Sequence, residues 1–198
     1  EDLAELKVRA DALLAAAGAS DGFVVTDPAH AMALWKIRED GAGLASISLA
    51  RPAYPGWEDA AVPARHLGSY LRDFDRLLDD HGLDGLPYGH FGDGCVHVRI
   101  DFPLTEEAGV GGYRAFVEEA ARLVARYGGS LSGEHGDGRA RSELLPTIYS
   151  AAALEAFGQV KAAFDPENLL NPGGLVDPRP VDGDVRAVRR VGQIDHSA

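Results

Sequence analysis

Hydrophobic positions recur at helical spacing along much of the chain. Across residues 2–17, Leu3, Leu6, Ala10, Leu13, Leu14 and Ala17 follow one helical face, and Gly18 supplies the stop. Asp27-Pro28 reads as an N-cap with proline at the first helical position. It opens a second helix that carries Leu34, Trp35 and Ile37 and ends near residues 38–40. Pro63 opens a third, with Leu67, Tyr70, Leu71, Phe74, Leu77 and Leu78 on one face and Gly82 at its end. Residues 113–127 form a fourth through Phe116, Val117, Ala120, Leu123 and Val124. Residues 23–26 and 58–62 read as short strands, and 41–56, rich in Gly, Ala, Ser and Pro, as a loop. This order predicts an α+β fold, an antiparallel sheet with helices packed on it.

Strict alternation appears once. Val96, Val98, Ile100 and Phe102 alternate with His97, Arg99 and Asp101, so one face is core and the other polar. Asp93-Gly94, just before, is a tight-turn signal, because a type I′ turn needs φ > 0 at both central residues. A two-residue turn there places His90 opposite His97, with Cβ atoms ~5 Å apart on one face. Histidine is the commonest metal ligand, so the pair is a candidate metal or catalytic site, set against a plain surface hairpin.

Two further stretches carry chemistry. In 128–138, five glycines in eleven residues exclude a regular helix and let backbone approach a ligand closely. Glu134 and His135 are neighbours there, so their side chains are expected to leave the backbone in different directions. One would ligate a metal while the other faces a substrate. Two histidines and a carboxylate with an open fourth position suit zinc or a similar divalent ion. In 161–173, Asp165-Pro166 and Asn171-Pro172 read as turns after a helix. A residue before proline is held extended, which would fix the Asn171 amide.

Composition narrows the rest. The 198 residues suit one domain with small appendages, and the net charge of -12 excludes a nucleic-acid surface and disfavours an anionic membrane. A single cysteine rules out an internal disulfide and suits a reducing compartment, so the expected location is cytoplasmic, at most peripheral to a membrane through partners. No apolar run approaches the ~20 residues of a membrane span. The chain begins inside helical sequence, as a piece of a longer protein would. After Pro178 periodicity is lost, so 1–178 is expected to be the domain and 179–198 an extended tail or linker.

GHFGDGCVH (89–97), SGEHGDG (132–138) and KAAFDPENLLNPGG (161–174) stand in the order and approximate spacing of FAD-linked oxidases. That family's C-terminal domain carries GHxGDGNxH, SGEHGxG and a DPxxxxNPG ending. The chain resembles that domain over roughly residues 25–178, as found in D-lactate dehydrogenases, the glycolate oxidase D subunit and D-2-hydroxyglutarate dehydrogenases. Residues 34–39 also resemble the family's Trp-x-x-Arg-Glu element. The resemblance implies a ferredoxin-like antiparallel sheet flanked by helices, capping a flavin held mainly by an N-terminal FAD-binding domain. It implies that His90, His97 and Glu134 hold a divalent metal, zinc or manganese. It implies that His135 takes the hydroxyl proton of a 2-hydroxy acid whose hydride goes to FAD. Arg38 and Arg99 would bind the substrate carboxylate, and Asn171 would approach the flavin. The implied partners are that FAD domain, the hydroxy acid, and a downstream electron acceptor such as an iron–sulfur protein or domain. Two positions depart from the pattern. Cys95 replaces the asparagine of GDGN, and Trp57 takes the place of a lysine that meets the distal carboxylate in the hydroxyglutarate enzymes. A small monocarboxylate of the D-lactate or glycolate type is therefore expected. The rival expectation is a stand-alone metal- or ligand-binding module without redox chemistry.

Overall fold

The computed structural model describes residues 2–18, 21–105 and 107–185, in two compact units, 1–43 and 44–198. In the first unit α1 spans Leu3–Ala16 and α2 spans Pro28–Glu39. The expected cap forms at Asp27, which accepts from the His30 amide at 2.7 Å, and Asp2 likewise accepts from the Ala4 amide at 2.9 Å. Residues 23–26 are not a strand. Among the described residues they pair with no neighbour, and β-propensity expresses fit to a pleated surface rather than a backbone preference. Residues 41–56 are not all loop either, since α3 covers Gly41–Ile47. Its glycines masked the short Leu44-Ala45-Ser46-Ile47 run.

The second unit is built on a three-stranded antiparallel sheet of order β1-β3-β2. β1 is Tyr54–Ala61, β2 Gly85–Tyr88 and β3 Cys95–Ile100. A single bridge, Ala61 to Ser130, extends the sheet beyond β1. The helix α4 (Leu67–Asp80) connects β1 to β2, and α5 (Glu107–Arg126) follows β3. This is the ferredoxin-like arrangement of an α+β fold. Leu67, Tyr70, Phe74, Leu77 and Leu78 of α4 bury the face that their spacing predicts. They meet Phe116, Val117, Ala120 and Val124 of α5 and Val96, Val98 and Ile100 of β3 in one core. Edge-to-face rings join Phe74, Phe116 and Phe102 across it. The helices thus occupy one sheet face and leave the His97–Arg99 face for other work. After α5 come α6 (Gly138–Arg141), a 3₁₀ segment at Ser142–Thr147 and α7 (Ala151–Phe164).

The hairpin differs from expectation in its register. Tyr88, not His90, pairs with His97. The loop is a 3₁₀ turn at Phe91–Asp93, in which the Asp93 and Cys95 amides both donate to the His90 carbonyl. Gly94 is left-handed at φ 75°, whereas Asp93 is not, so the type I′ turn does not form. The shift is two residues, which preserves parity, and His90 stays on the side of His97. A Cβ on Gly94 would lie 1.9 Å from the Val62 carbonyl oxygen. Gly94→Val is therefore expected to destabilise the fold by at least about 1–3 kcal/mol and to weaken metal binding with it. Denaturant melts and a zinc titration check this, and normal values in both would contradict the loop geometry.

The segment after Pro178 packs back on the domain as far as the described residues reach. Val181 is buried, and its amide donates to Glu143 Oε2 at 2.5 Å. Arg114 holds both Glu143 (2.7 Å) and Asp182 (2.8 Å), and Arg139 holds Asp184 at 2.8 Å. The remainder of the expected tail, 186–198, lies outside the described residues. The Arg114 hydrogen bonds hold the Glu143 carboxyl below its usual range. A carboxylate depressed in the folded state stabilises fully above its unfolded value, near 4.3, and that contribution is lost as pH falls through the folded value. Arg114→Ala should lower Tm at pH 7, and its gap from wild type should narrow below about pH 4. Thermal melts at both ends of that range test it, and a gap independent of pH would contradict it.

Candidate metal and substrate site

Strand β1 carries two irregularities around Trp57. Pro55 pairs with Arg99, Trp57 with Val98 and Ala60 with Val96. Glu58 and Asp59 together therefore oppose His97 alone, a bulge that re-aims their side chains toward the polar face. Trp57 itself turns into the core, fully buried, with its indole N–H donating to Tyr70 Oη at 3.0 Å. The guanidinium of Arg141 lies 4.8 Å from the indole ring and donates to the Glu58 carbonyl at 2.9 Å, which anchors the bulge from the core side. Position 57 therefore contributes no side chain to the polar face.

Asp59 was not among the expected site residues. It has φ 73°, is 2% exposed, and accepts from several groups at once. The Glu134 amide reaches both of its oxygens at 3.0 and 2.9 Å, and the His135 amide reaches Oδ2 at 2.7 Å. Ser132 Oγ and Cys95 Sγ complete the set at 2.8 and 3.3 Å. Burial pushes the Asp59 carboxyl up, but these donors outweigh it and leave the pKa below the usual range. Gly133 allows the close approach, because a Cβ there would meet Cys95 Sγ at 3.1 Å and Asp59 Oδ1 at 3.3 Å.

Curled around Asp59, the loop returns Glu134 and His135 to one point instead of sending them apart. Glu134 Oε1 lies 3.4 Å from His90 Nε2, 3.5 Å from His97 Nε2 and 3.6 Å from His135 Nε2. These spacings are too long for good hydrogen bonds. Each is close to the roughly 3.3–3.4 Å expected between two ligand atoms of one ion at 2.0–2.1 Å. The His135 ring stacks on His97, with centroids 5.1 Å apart, and is more than half exposed. The His90 ring stands edge-on to His97 at 6.2 Å. Open space of about 340 Å³ adjoins His90 and Glu134, lined also by Asp93 and Cys95.

Behind His97, its Nδ1 is buried without a hydrogen bond and faces Glu58 Oε2 at 3.5 Å. A ligating imidazole commonly offers its second nitrogen to a carboxylate, so this arrangement fits a metal ligand. Glu58 also meets Arg99 at 3.3 Å and accepts from Tyr88 Oη at 3.1 Å. Among the described residues, the ligand atoms that lie within 4.8 Å of one another are those of Asp59, Cys95, His97 and Glu134. Asp59 is already engaged by the loop, and burial with the nearby Asp59 pushes the Cys95 thiol up to about 12. Of this group His97 and Glu134 are left as candidate donors, with His90 Nε2 3.4 Å from Glu134 Oε1.

The structure thus brings together His90, His97, Arg99, Glu134 and His135. Arg38 belongs to the first unit, on α2, exposed and lying over the Trp35 ring at 5.7 Å. Asn171 is exposed in the turn after α7, and its φ of 50° is left-handed rather than extended. Asp165 organises that turn by accepting from the Leu169 and Leu170 amides, each at 2.9 Å, which overrides the usual preference before proline.

Residues 1–175 match the family described as FAD linked oxidases, C-terminal domain. Over 189 residues the chain is 34% identical to a D-2-hydroxyglutarate dehydrogenase of Escherichia coli K12, covering 94% of this chain and 18% of that protein. It is 31% identical over 172 residues to the glycolate oxidase subunit GlcD of the same organism, covering 87% of this chain and 34% of that protein. A D-lactate dehydrogenase of Archaeoglobus fulgidus is 36% identical over 118 residues, 60% of this chain and 26% of its own length.

Proposed function

Because the chain belongs to the C-terminal domain family of FAD-linked oxidases, we propose that it is the substrate-binding cap of a flavoprotein oxidising a 2-hydroxy acid to a 2-oxo acid. The carrying observation is the convergence of three imidazole Nε2 atoms on one Glu134 oxygen. His90, His97 and Glu134 would hold one divalent ion, zinc or manganese. FAD, bound mainly by an N-terminal domain, supplies the hydride acceptor, and the metal a Lewis acid for the substrate oxygens. His135, exposed beside His97, accepts the hydroxyl proton at Nε2. Arg99 binds the carboxylate; Arg38, which the resemblance also assigned to the carboxylate, belongs to the first unit. Asn171 faces the flavin. A downstream acceptor such as an iron–sulfur protein or domain takes the electrons.

Trp57 is buried in the core where the hydroxyglutarate enzymes have a lysine, so that position offers no cation to a second substrate carboxylate. This supports a D-lactate- or glycolate-like substrate. The charge of -12 supports no nucleic-acid partner. Among the described residues no helix is long and apolar enough to cross a membrane. A cytoplasmic location is part of the proposal. Family membership does not favour a stand-alone binding module.

The test is anaerobic flavin bleaching of the full-length protein by D-lactate and by glycolate, before and after chelation. The proposal expects bleaching that chelation removes and zinc or manganese restores. Bleaching indifferent to chelation would contradict the metal, and no bleaching by any 2-hydroxy acid would contradict the function.

A further inference from the structure

We infer that Asp59 is the positioning residue of this site, fixing the backbone from which Glu134 and His135 project. The inference rests on the reading that Glu134 ligates the metal. Loop 132–135 joins no helix or strand, so its own hydrogen-bonding pattern does not dictate where those two side chains point. Ser130 Oγ accepts from the Ser132 amide at 3.2 Å and donates to the Ser132 carbonyl at 2.7 Å, and Asp59 holds the rest. The Asp59 carbonyl accepts from the Gly133 amide at 2.7 Å, and its carboxylate accepts from the next two amides and from Ser132 Oγ. Three consecutive backbone N–H groups thus terminate on Asp59. Hydrogen bonds to an ionised acceptor are about twice as strong as neutral ones.

The carboxylate reaches the loop because Asp59 sits in the β1 bulge at φ 73°, on a backbone that Arg141 clamps at the neighbouring Glu58 carbonyl. It is linked to β3 as well, through Cys95 Sγ at 3.3 Å, two residues from His97. Asp59 therefore ties the loop bearing Glu134 to the strand bearing His97. It does so without entering the convergence point, because its oxygens are spent on the loop. Aspartate is suited to the post. An asparagine would turn an NH₂ toward amide donors, and a glutamate would push the loop outward by a methylene.

The experiment is zinc titration of the full-length protein and of Asp59→Asn, Asp59→Glu, Glu134→Ala and Val117→Ala. Supporting groups behind metal ligands typically contribute 10–100-fold in affinity. Asp59→Asn and Asp59→Glu should each weaken zinc by about that factor. Val117→Ala, a core truncation in α5, should lower Tm yet leave zinc affinity within error, which separates positioning from general stability. Wild-type affinity in Asp59→Asn, or full rescue by Asp59→Glu, overturns the inference. If Glu134→Ala also binds zinc normally, the underlying site reading has failed instead. Should the Asp59 variants not fold, Ser132→Ala removes one donor and is expected to weaken zinc about 2–10-fold. Unchanged affinity there overturns the inference.

Discussion

Replacing His135 by asparagine in the full-length protein is expected to lower kcat about 10²–10⁴-fold, the usual contribution of a positioned base, with the metal retained. The expectation follows from where the ring stands. It stacks on His97 but is more than half exposed, so it can meet a ligand from the open side without being buried behind the cluster. Its Nε2 lies 3.6 Å from Glu134 Oε1, near enough for a substrate hydroxyl held at the cluster to reach it. Asparagine keeps a polar group of similar reach but cannot accept the proton. The check is kcat measured against metal occupancy. If the variant lost its metal and recovered near-normal turnover when metal was returned, His135 would be a ligand and not the base. A stability loss with kcat unchanged in the folded fraction would make it structural.

Glu134→Ala and His97→Ala should lose the metal first. Glu134 supplies the one oxygen that His90, His97 and His135 share, and His97 is the buried imidazole with a carboxylate behind its other nitrogen. Removing either leaves a pair of donors, and both variants are expected to purify without stoichiometric metal after zinc or manganese loading. Affinity in the wild type should also fall below about pH 6, because ligating imidazoles must be neutral. Metal analysis across that pH range tests both statements. Wild-type stoichiometry in His97→Ala would contradict them.

Local periodicity was enough for the parts of this fold that bury a face. The Leu67–Leu78 stripe, the Phe116–Val124 stripe and the alternation through Val96, Val98 and Ile100 all lie where their spacing places them. The same alternation put His97 and Arg99 together. It could not give the hairpin register, because Asp93-Gly94 is compatible with several turns and the 3₁₀ loop satisfies the 93–95 amides on its own. His90 still reaches His97 because the slip was an even number of residues. Asp59 was missed for a related reason. The bulge that aims it depends on Arg141, 82 positions later in numbering, and on loop 132–135. The one local hint was an aspartate inside a strand pattern, a residue type that tolerates φ > 0. Asn171 misled because Asp165 and its turn override the preference of a residue before proline. The ordered segment around Val181 was hidden because its attachment is ionic, through Arg114 and Arg139, and carries no hydrophobic period.

The central claim is that His90, His97 and Glu134 form a nitrogen- and oxygen-donor site for one divalent ion. X-ray absorption of the zinc-loaded full-length protein tests it most directly. The account predicts one zinc per chain, with imidazole nitrogen and carboxylate oxygen at about 2.0–2.2 Å. A sulfur neighbour at about 2.3 Å would place Cys95 in the shell, and that result, or no zinc bound at all, would contradict it.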